Sequence, residues 1–198
     1  MEVVILILIA IGSFSLSILL RKKKKTNSRA IKFEVMRVSG LIMQFFESYD
    51  IIYSTLNLQT LESRVRFVDN FYNQLITLHT EDYYQSAINN AILNYKKLYP
   101  NRYLKKLQLS LIQNPDITQL KEFYARCVVV SFSGYADKQL NEIQELKRQH
   151  AINKRREQVI EVGDQAKYLF KILELDTSGI HLDEIEKIRE LFYNTREA

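Results

Sequence analysis

Residues 31–56 read IKFEVMRVSGLIMQFFESYDIIYSTL, and Ile31, Val35, Val38, Ile42, Phe45, Tyr49, Ile52 and Leu56 follow one another at spacings of four and three in strict alternation. An apolar period of 3.5 residues predicts one long helix that packs lengthwise on others, as in a coiled coil. Leu41, Phe46 and Tyr53 flank the stripe and widen it beyond a two-stranded seam, which points to the interior of a helical bundle. Composition agrees. Five glycines and two prolines in 198 residues favour long helices over a β-sandwich or a glycine-rich nucleotide fold. The expected fold is all-α: a single N-terminal transmembrane helix followed by an irregular cytoplasmic helical bundle with one long helix.

Upstream of the stripe, from Val3 to Leu20, no residue is charged, and Arg21, Lys22, Lys23, Lys24, Lys25 and Arg29 follow at once. Eighteen helical residues at about 1.5 Å each span roughly 27 Å, close to the hydrocarbon thickness of a bilayer. A cleaved signal peptide would carry its cations before the apolar run and small residues after it; here only Glu2 precedes and cations follow. The expected organisation is therefore a signal anchor over 1–20, a polybasic juxtamembrane tract over 21–29 and a cytoplasmic helical domain over 30–198. Positive charge holds a short flank on the cytoplasmic side, so a single-pass topology with the N-terminus out is expected. One cysteine, Cys127, allows no intramolecular disulfide, as suits the reducing compartment.

The net charge of +5 has a location. Glu2 contributes one negative charge and the six juxtamembrane cations six positive ones, so the remainder of the chain is neutral. The basic character belongs to the tract, which is expected either to act only as a stop-transfer and topology signal or also to attract anionic lipid headgroups, by about 1 kcal/mol per residue near the surface.

Downstream, Thr60 is the expected N-cap of a helix carrying Leu61, Val65, Val68, Tyr72 and Leu75 and ending near His79. Thr80, with Glu81 and Asp82 in the first turn, would cap a third, whose stripe is Tyr84, Ile88, Ala91, Tyr95 and Leu98 before Pro100. A shorter helix with Tyr103 or Leu104, Leu107 and Leu111 is closed by Asn114, Pro115 and Asp116. Asp116 would cap a long helix through Leu120, Tyr124, Cys127 and Val128. Val128, Val129, Val130 and Phe132 also suit a strand, but no partner strand is visible and helix is expected. Gly134 is a candidate kink or close approach. Lys147 to Gln158 is nearly devoid of apolar residues; with no proline or glycine in it, a continuous helix with an exposed middle is favoured over a hinge near His150 to Asn153, and the stripe resumes as Val159, Val162, Ala166, Leu169 and Leu173. Asp176 to Gly179 reads as a turn, and Leu182, Ile185, Ile188 and Phe192 as a terminal helix.

Little in this chain resembles a reaction centre. None of His79, His150 and His181 follows a glutamate by three residues, as in di-metal bundles. Asp176, His181, Asp183 and Glu184 cluster, but acids gather at helix starts for reasons of dipole alone. Cys127 lies in an apolar stretch with no histidine near it in sequence, and no phosphate-cradling or nucleophile-elbow motif occurs. Glu157, Glu161 and Asp164 share a face expected to be solvated. No enzyme, cofactor or metal is expected. Between Asp82 and Asp116 there is no acid, and Lys96, Lys97, Arg102, Lys105 and Lys106 are interleaved with Tyr95, Tyr99 and Tyr103. Cations among aromatics suit an anionic partner, a nucleic-acid strand or a lipid surface, although solvated lysines at a helix junction look the same. A second cluster, Lys147, Arg148, Lys154, Arg155 and Arg156, has Glu142, Glu145 and Glu157 beside it for pairing. The expected function is a membrane-anchored, non-enzymatic scaffold or adaptor that binds a protein partner or self-associates. The alternatives are a membrane-tethered nucleic-acid binder and an oligomeric membrane-active subunit, the last resting on the small pair Ser13 and Ser17.

Overall fold

A computed structural model describes residues 28–175 and 179–193, with the first helix assigned from Glu2 and the last to Asn194. Seven helices and no strand are found among the described residues: α1 (Glu2–Ser54), α2 (Leu58–Leu78), α3 (Tyr84–Leu98), α4 (Lys106–Gln113), α5 (Ile117–Glu145), α6 (Gln149–Ile172) and α7 (Ile180–Asn194). The heptad stripe forms the core of α1, where Val38, Ile42, Phe45, Tyr49 and Ile52 are buried together with Phe46. Its two ends are not: Ile31 and Leu56 are more than half exposed, as is the flanking Tyr53. Ile31 lies where α1 runs past its neighbours, since the α2–α3 turn meets α1 at Glu34 and Arg37, whose charges act on Tyr83.

Ring contacts and a short connection fix the helix directions. Phe45 packs on Tyr72 at 5.5 Å, and the short 55–57 connection obliges α2 to run antiparallel to the α1 it packs on; Phe46 packs on Tyr95 at 5.5 Å. With Tyr83 near Glu34 and Tyr99 donating to Glu47 at 2.9 Å, α3 runs parallel to α1. This is an up-down-up bundle. The short α4 closes it through buried polar contacts: the Gln108 amide donates to the Phe46 carbonyl (3.0 Å), Tyr72 to Leu111 (2.9 Å) and Tyr84 to Ile112 (2.9 Å). Buried donors and acceptors must be paired, so these bonds select the register as well as support it.

Helix α5 runs back along α2. Phe123 stacks on Tyr49 with centroids 4.2 Å apart, the Tyr124 hydroxyl donates to Asp69 at 3.3 Å and Ser131 donates to the Thr55 carbonyl at 2.9 Å. With α6 and α7 it forms a second three-helix bundle that shares one continuous apolar core with the first. Its register is set by Arg189 of α7, which is buried and pairs with Asp164 (2.6 Å) and Glu186 (2.7 Å). Gly163 makes room for it: a Cβ there would sit 2.6 Å from the Arg189 stem and 3.0 Å from Phe132.

Several expectations are corrected. Asn57, not Thr60, caps α2, its side chain accepting from the Thr60 N–H at 2.9 Å. Helix α3 begins at Tyr84 with no side-chain cap, so Thr80, Glu81 and Asp82 form a turn before it, and Leu98 faces solvent. The helix expected to continue through residues 147–158 breaks at Leu146 to Arg148, where the Leu146 and Arg148 backbones are extended. Propensity alone favours continuation, but folding back lets Val159, Ala166, Leu169 and Phe170 bury against α5 and α7, and burial outweighs the few tenths of a kcal/mol per residue in helix preference. Asp116 does cap α5, accepting from Thr118 at 2.8 Å, and Val128 to Val130 are helical. Gly134 leaves α5 unbroken and receives Leu56, whose methyl would lie 3.3 Å from an added Cβ. Among the described residues no helix is long and apolar enough to cross a membrane. The expected anchor over 3–20, the cations Arg21, Lys22, Lys23, Lys24 and Lys25, the pair Ser13 and Ser17 and the turn over 176–178 lie outside the described residues.

Candidate functional site at the α1–α3 end

The acid-free window folds over the end of α1 that leads into α2. Lys96 and Lys97 stand exposed in the last turn of α3, where cations complement the carbonyl end of the helix dipole. Pro100 then turns the chain across α1. Arg102 approaches Asp50 at 3.8 Å and Lys105 approaches the other oxygen of the same carboxylate at 3.6 Å. The Tyr95 hydroxyl donates to Asp50 as well. One carboxylate thus serves two cations and a phenol, and both ion pairs are loose.

Aromatic rings hold the cations in place. The Lys105 ammonium lies 3.7 Å from the Tyr53 ring centroid and the Arg102 guanidinium 4.7 Å from that of Tyr99, distances at which ring quadrupoles attract cations. Between them opens a cleft of about 390 Å³ lined by Asp50, Ile51, Tyr53, Ser54, Arg102, Tyr103 and Lys105. Burial, and then the bond to Asp50, pushes the Tyr95 hydroxyl up to about 12, while the bond to Glu47 raises that of Tyr99. Neither phenol is a proton donor near neutrality. The cleft has no activated nucleophile; what it offers is positive charge on an aromatic floor, which suits a carboxylate or phosphate.

Of the residues singled out in the sequence, the structure brings Arg102, Tyr103 and Lys105 to the cleft. Lys96, Lys97 and Lys106 are exposed around it, and Tyr99 is turned inward to Glu47. Sequence reasoning missed Asp50 and Glu47. The available signal was an acid inside the apolar stripe, Asp50 between Tyr49 and Ile52, where a solvated carboxylate is out of place.

Elsewhere, the second basic cluster divides. Arg155 pairs with Glu142 at 3.1 Å across the α5–α6 hairpin, not along one helix, whereas the Nε of Arg156 is buried with no hydrogen-bond partner among the described residues. Glu157, Glu161 and Asp164 are all exposed, as expected of a solvated face, and Asp164 in addition pairs with Arg189 at 2.6 Å. His181 meets Glu122 of α5 at 3.0 Å; Asp183 and Glu184 join it in no metal-binding group among the described residues. Burial pushes the Cys127 thiol up to about 12. No family model, curated protein or solved structure matches this chain.

Proposed function

We propose that the chain is a membrane-anchored, non-enzymatic helical scaffold whose cytoplasmic bundle docks an acidic segment of a protein partner in the cleft between Arg102 and Lys105. The observation that carries this is the position of the cleft. From Ser28 to Asp50 α1 rises about 33 Å, several times the screening length of about 8 Å at physiological salt. A bilayer holding residues 3–20 with the polybasic tract at its cytoplasmic face would lie too far from Arg102 and Lys105 to be their partner. The charges are thus available to something in solution, and Asp50 alone does not neutralise them.

Nucleic acid is the second reading, favoured by the exposed Lys96, Lys97 and Lys106 beside Tyr103, which is 88% exposed. Single-strand binders stack successive bases on several rings. Here Tyr95 is buried, Tyr99 is bonded to Glu47 and the Tyr53 ring is capped by the Lys105 ammonium 3.7 Å from its centroid, so Tyr103 is the cleft ring open to stacking and a protein partner is preferred.

The test is recovery of detergent-solubilised full-length protein from its native cells, with and without nuclease, for wild type and for Arg102→Glu with Lys105→Glu. A defined protein that survives nuclease and is lost from the double variant supports the scaffold. Recovery of nucleic acid, with affinity falling steeply as salt rises, replaces it with the second reading.

A further inference from the structure

Asp50 is an acid set into the wall of a cleft that otherwise offers positive charge. Its two oxygens lie 3.6 Å from the Lys105 ammonium and 3.8 Å from the Arg102 guanidinium, beyond hydrogen-bond length, and its side chain is 16% exposed. The cations are not tied to it alone. Lys105 also rests on the Tyr53 ring and Arg102 on that of Tyr99, and with side chains 37% and 56% exposed both are within reach of a ligand in the cleft. The hydroxyl of buried Tyr95 donates to Asp50 and holds the carboxylate where it is. A ligand therefore meets two cations and an acid that stays in place.

The attraction of an anion to such a site grows in proportion to its charge, whereas the cost of taking it out of water grows with the square of that charge. One fixed acid against two cations removes about half of the attraction that Arg102 and Lys105 would exert together. A single carboxylate is neutralised by what is left. A phosphate dianion meets about four times the desolvation cost for about twice the attraction. The other charges nearby alter this little: Glu47 accepts from Tyr99, and Lys96, Lys97 and Lys106 stand in solvent, where water and salt screen them. We propose that Asp50 sets the ligand class of the cleft, admitting segments that bear single carboxylates and turning away phosphorylated ones. This rests on the docking reading above and names the chemistry of the segment that docks.

The probes are two blocked tripeptides, acetyl-Gly-Glu-Gly-amide and its phosphoserine counterpart. They are titrated near pH 8, where phosphoserine carries about two negative charges, into full-length protein in detergent micelles at constant ionic strength. Binding is read by NMR from the backbone amides of residues 102–106. Wild type should bind the glutamate peptide the more tightly. Asp50→Asn keeps the size of the side chain and an acceptor for Tyr95; it should tighten binding by about three- to tenfold for each charge on the peptide, and so shift the preference towards phosphoserine by the same factor. Ser54→Asp, at an exposed position in the cleft wall, adds a second acid and should shift the preference as far the other way. It carries the test if Asp50→Asn loses its helical circular dichroism. Tighter binding of the phosphoserine peptide by wild type, or a preference that neither substitution moves, would overturn the inference and leave docking standing. Amides that respond to neither peptide in any of the three proteins would overturn the docking reading and the inference with it.

Discussion

The two three-helix bundles hold together by different physics. In α1–α3, with α4 and the start of α5, large aromatics fill the core and tyrosine hydroxyls reach across to backbone carbonyls: Tyr72 to Leu111, Tyr84 to Ile112. In α5–α7 the buried side chains are smaller and the register is keyed by charge, Arg189 lying in the notch left by Gly163 and held by Asp164 and Glu186. A phenol is neutral up to about pH 10, whereas an ion pair depends on carboxylates ionised near pH 4. The first bundle is therefore built to fail in alkali and the second to loosen in acid.

The largest effect that separates them is alkaline. Burial holds Tyr72 and Cys127 up to about 12, and burial with the Asp50 bond does the same for Tyr95, above the unfolded values of 10 and 9. A raised folded pKa gives stability that is fully present below the unfolded value and lost as pH rises through the folded one. Between pH 10 and 12 the core tyrosines should ionise only as the bundle unfolds. The tyrosinate absorbance of the buried rings, read as the change beyond that of the exposed Tyr53, Tyr103, Tyr168 and Tyr193, should rise together with the loss of helical circular dichroism; buried tyrosinate forming while helicity persists would show that these rings are reached by water.

Next in size, Phe45→Ala should cost about 3–5 kcal/mol in denaturant unfolding, since Phe45 contacts four other rings in the first core. Gly163→Val should cost about 1–3 kcal/mol by displacing Arg189, with the loss of hydrogen-exchange protection concentrated in α6 and α7. Uniform loss over all helices would mean that the bundles unfold as one unit. Tyr72→Phe removes one bond donated to Leu111 and one accepted from the Asp116 N–H at 3.0 Å, and should cost about 1–3 kcal/mol, because two backbone groups lose their partner.

Smallest is the acid effect. Glu122, bonded first to His181, and Glu186, bonded first to Lys167, are both held below the usual carboxylate range. A lowered folded pKa gives stability present above the unfolded value and lost as pH falls through the folded one, so the loss should begin below about pH 4.3. Both carboxylates are more than two-fifths exposed and screened by water, which keeps the effect slight. Exchange in α7 should quicken before that in α2; the reverse order would erase the contrast between the bundles.

This contrast also marks what the sequence could reveal. The stripes of α1, α2 and α3 were legible because apolar period follows directly from which face is buried: Val38 to Ile52, Leu61 to Leu75 and Tyr84 to Tyr95 are all core. The α5–α6 break was not, because nothing local forces it; Val159 and Phe170 gain burial only when the chain doubles back, a fact of tertiary packing. Asn57 displaced Thr60 as cap because a cap is chosen by backbone geometry among nearby candidates, and either residue type could serve. At the cleft, Arg102, Tyr103 and Lys105 were found from charge pattern. Asp50, some fifty residues away, became their partner only through the parallel packing of α1 and α3.

The most direct measurement of the central claim uses the chain's lone cysteine. Cys127 is buried and its thiol is pushed up to about 12, so Tyr103→Cys, at the most exposed of the large apolar positions, would carry the one reactive thiol. Full-length protein bearing it is placed in native membranes, sealed vesicles of known sidedness are treated with a membrane-impermeant maleimide, and the membranes are then extracted with alkaline carbonate. An anchored scaffold with its cleft in the cytoplasm predicts labelling only when the cytoplasmic face is outward, with the labelled chain kept in the membrane pellet. Labelling from the opposite face, or release of the chain by carbonate, would contradict it.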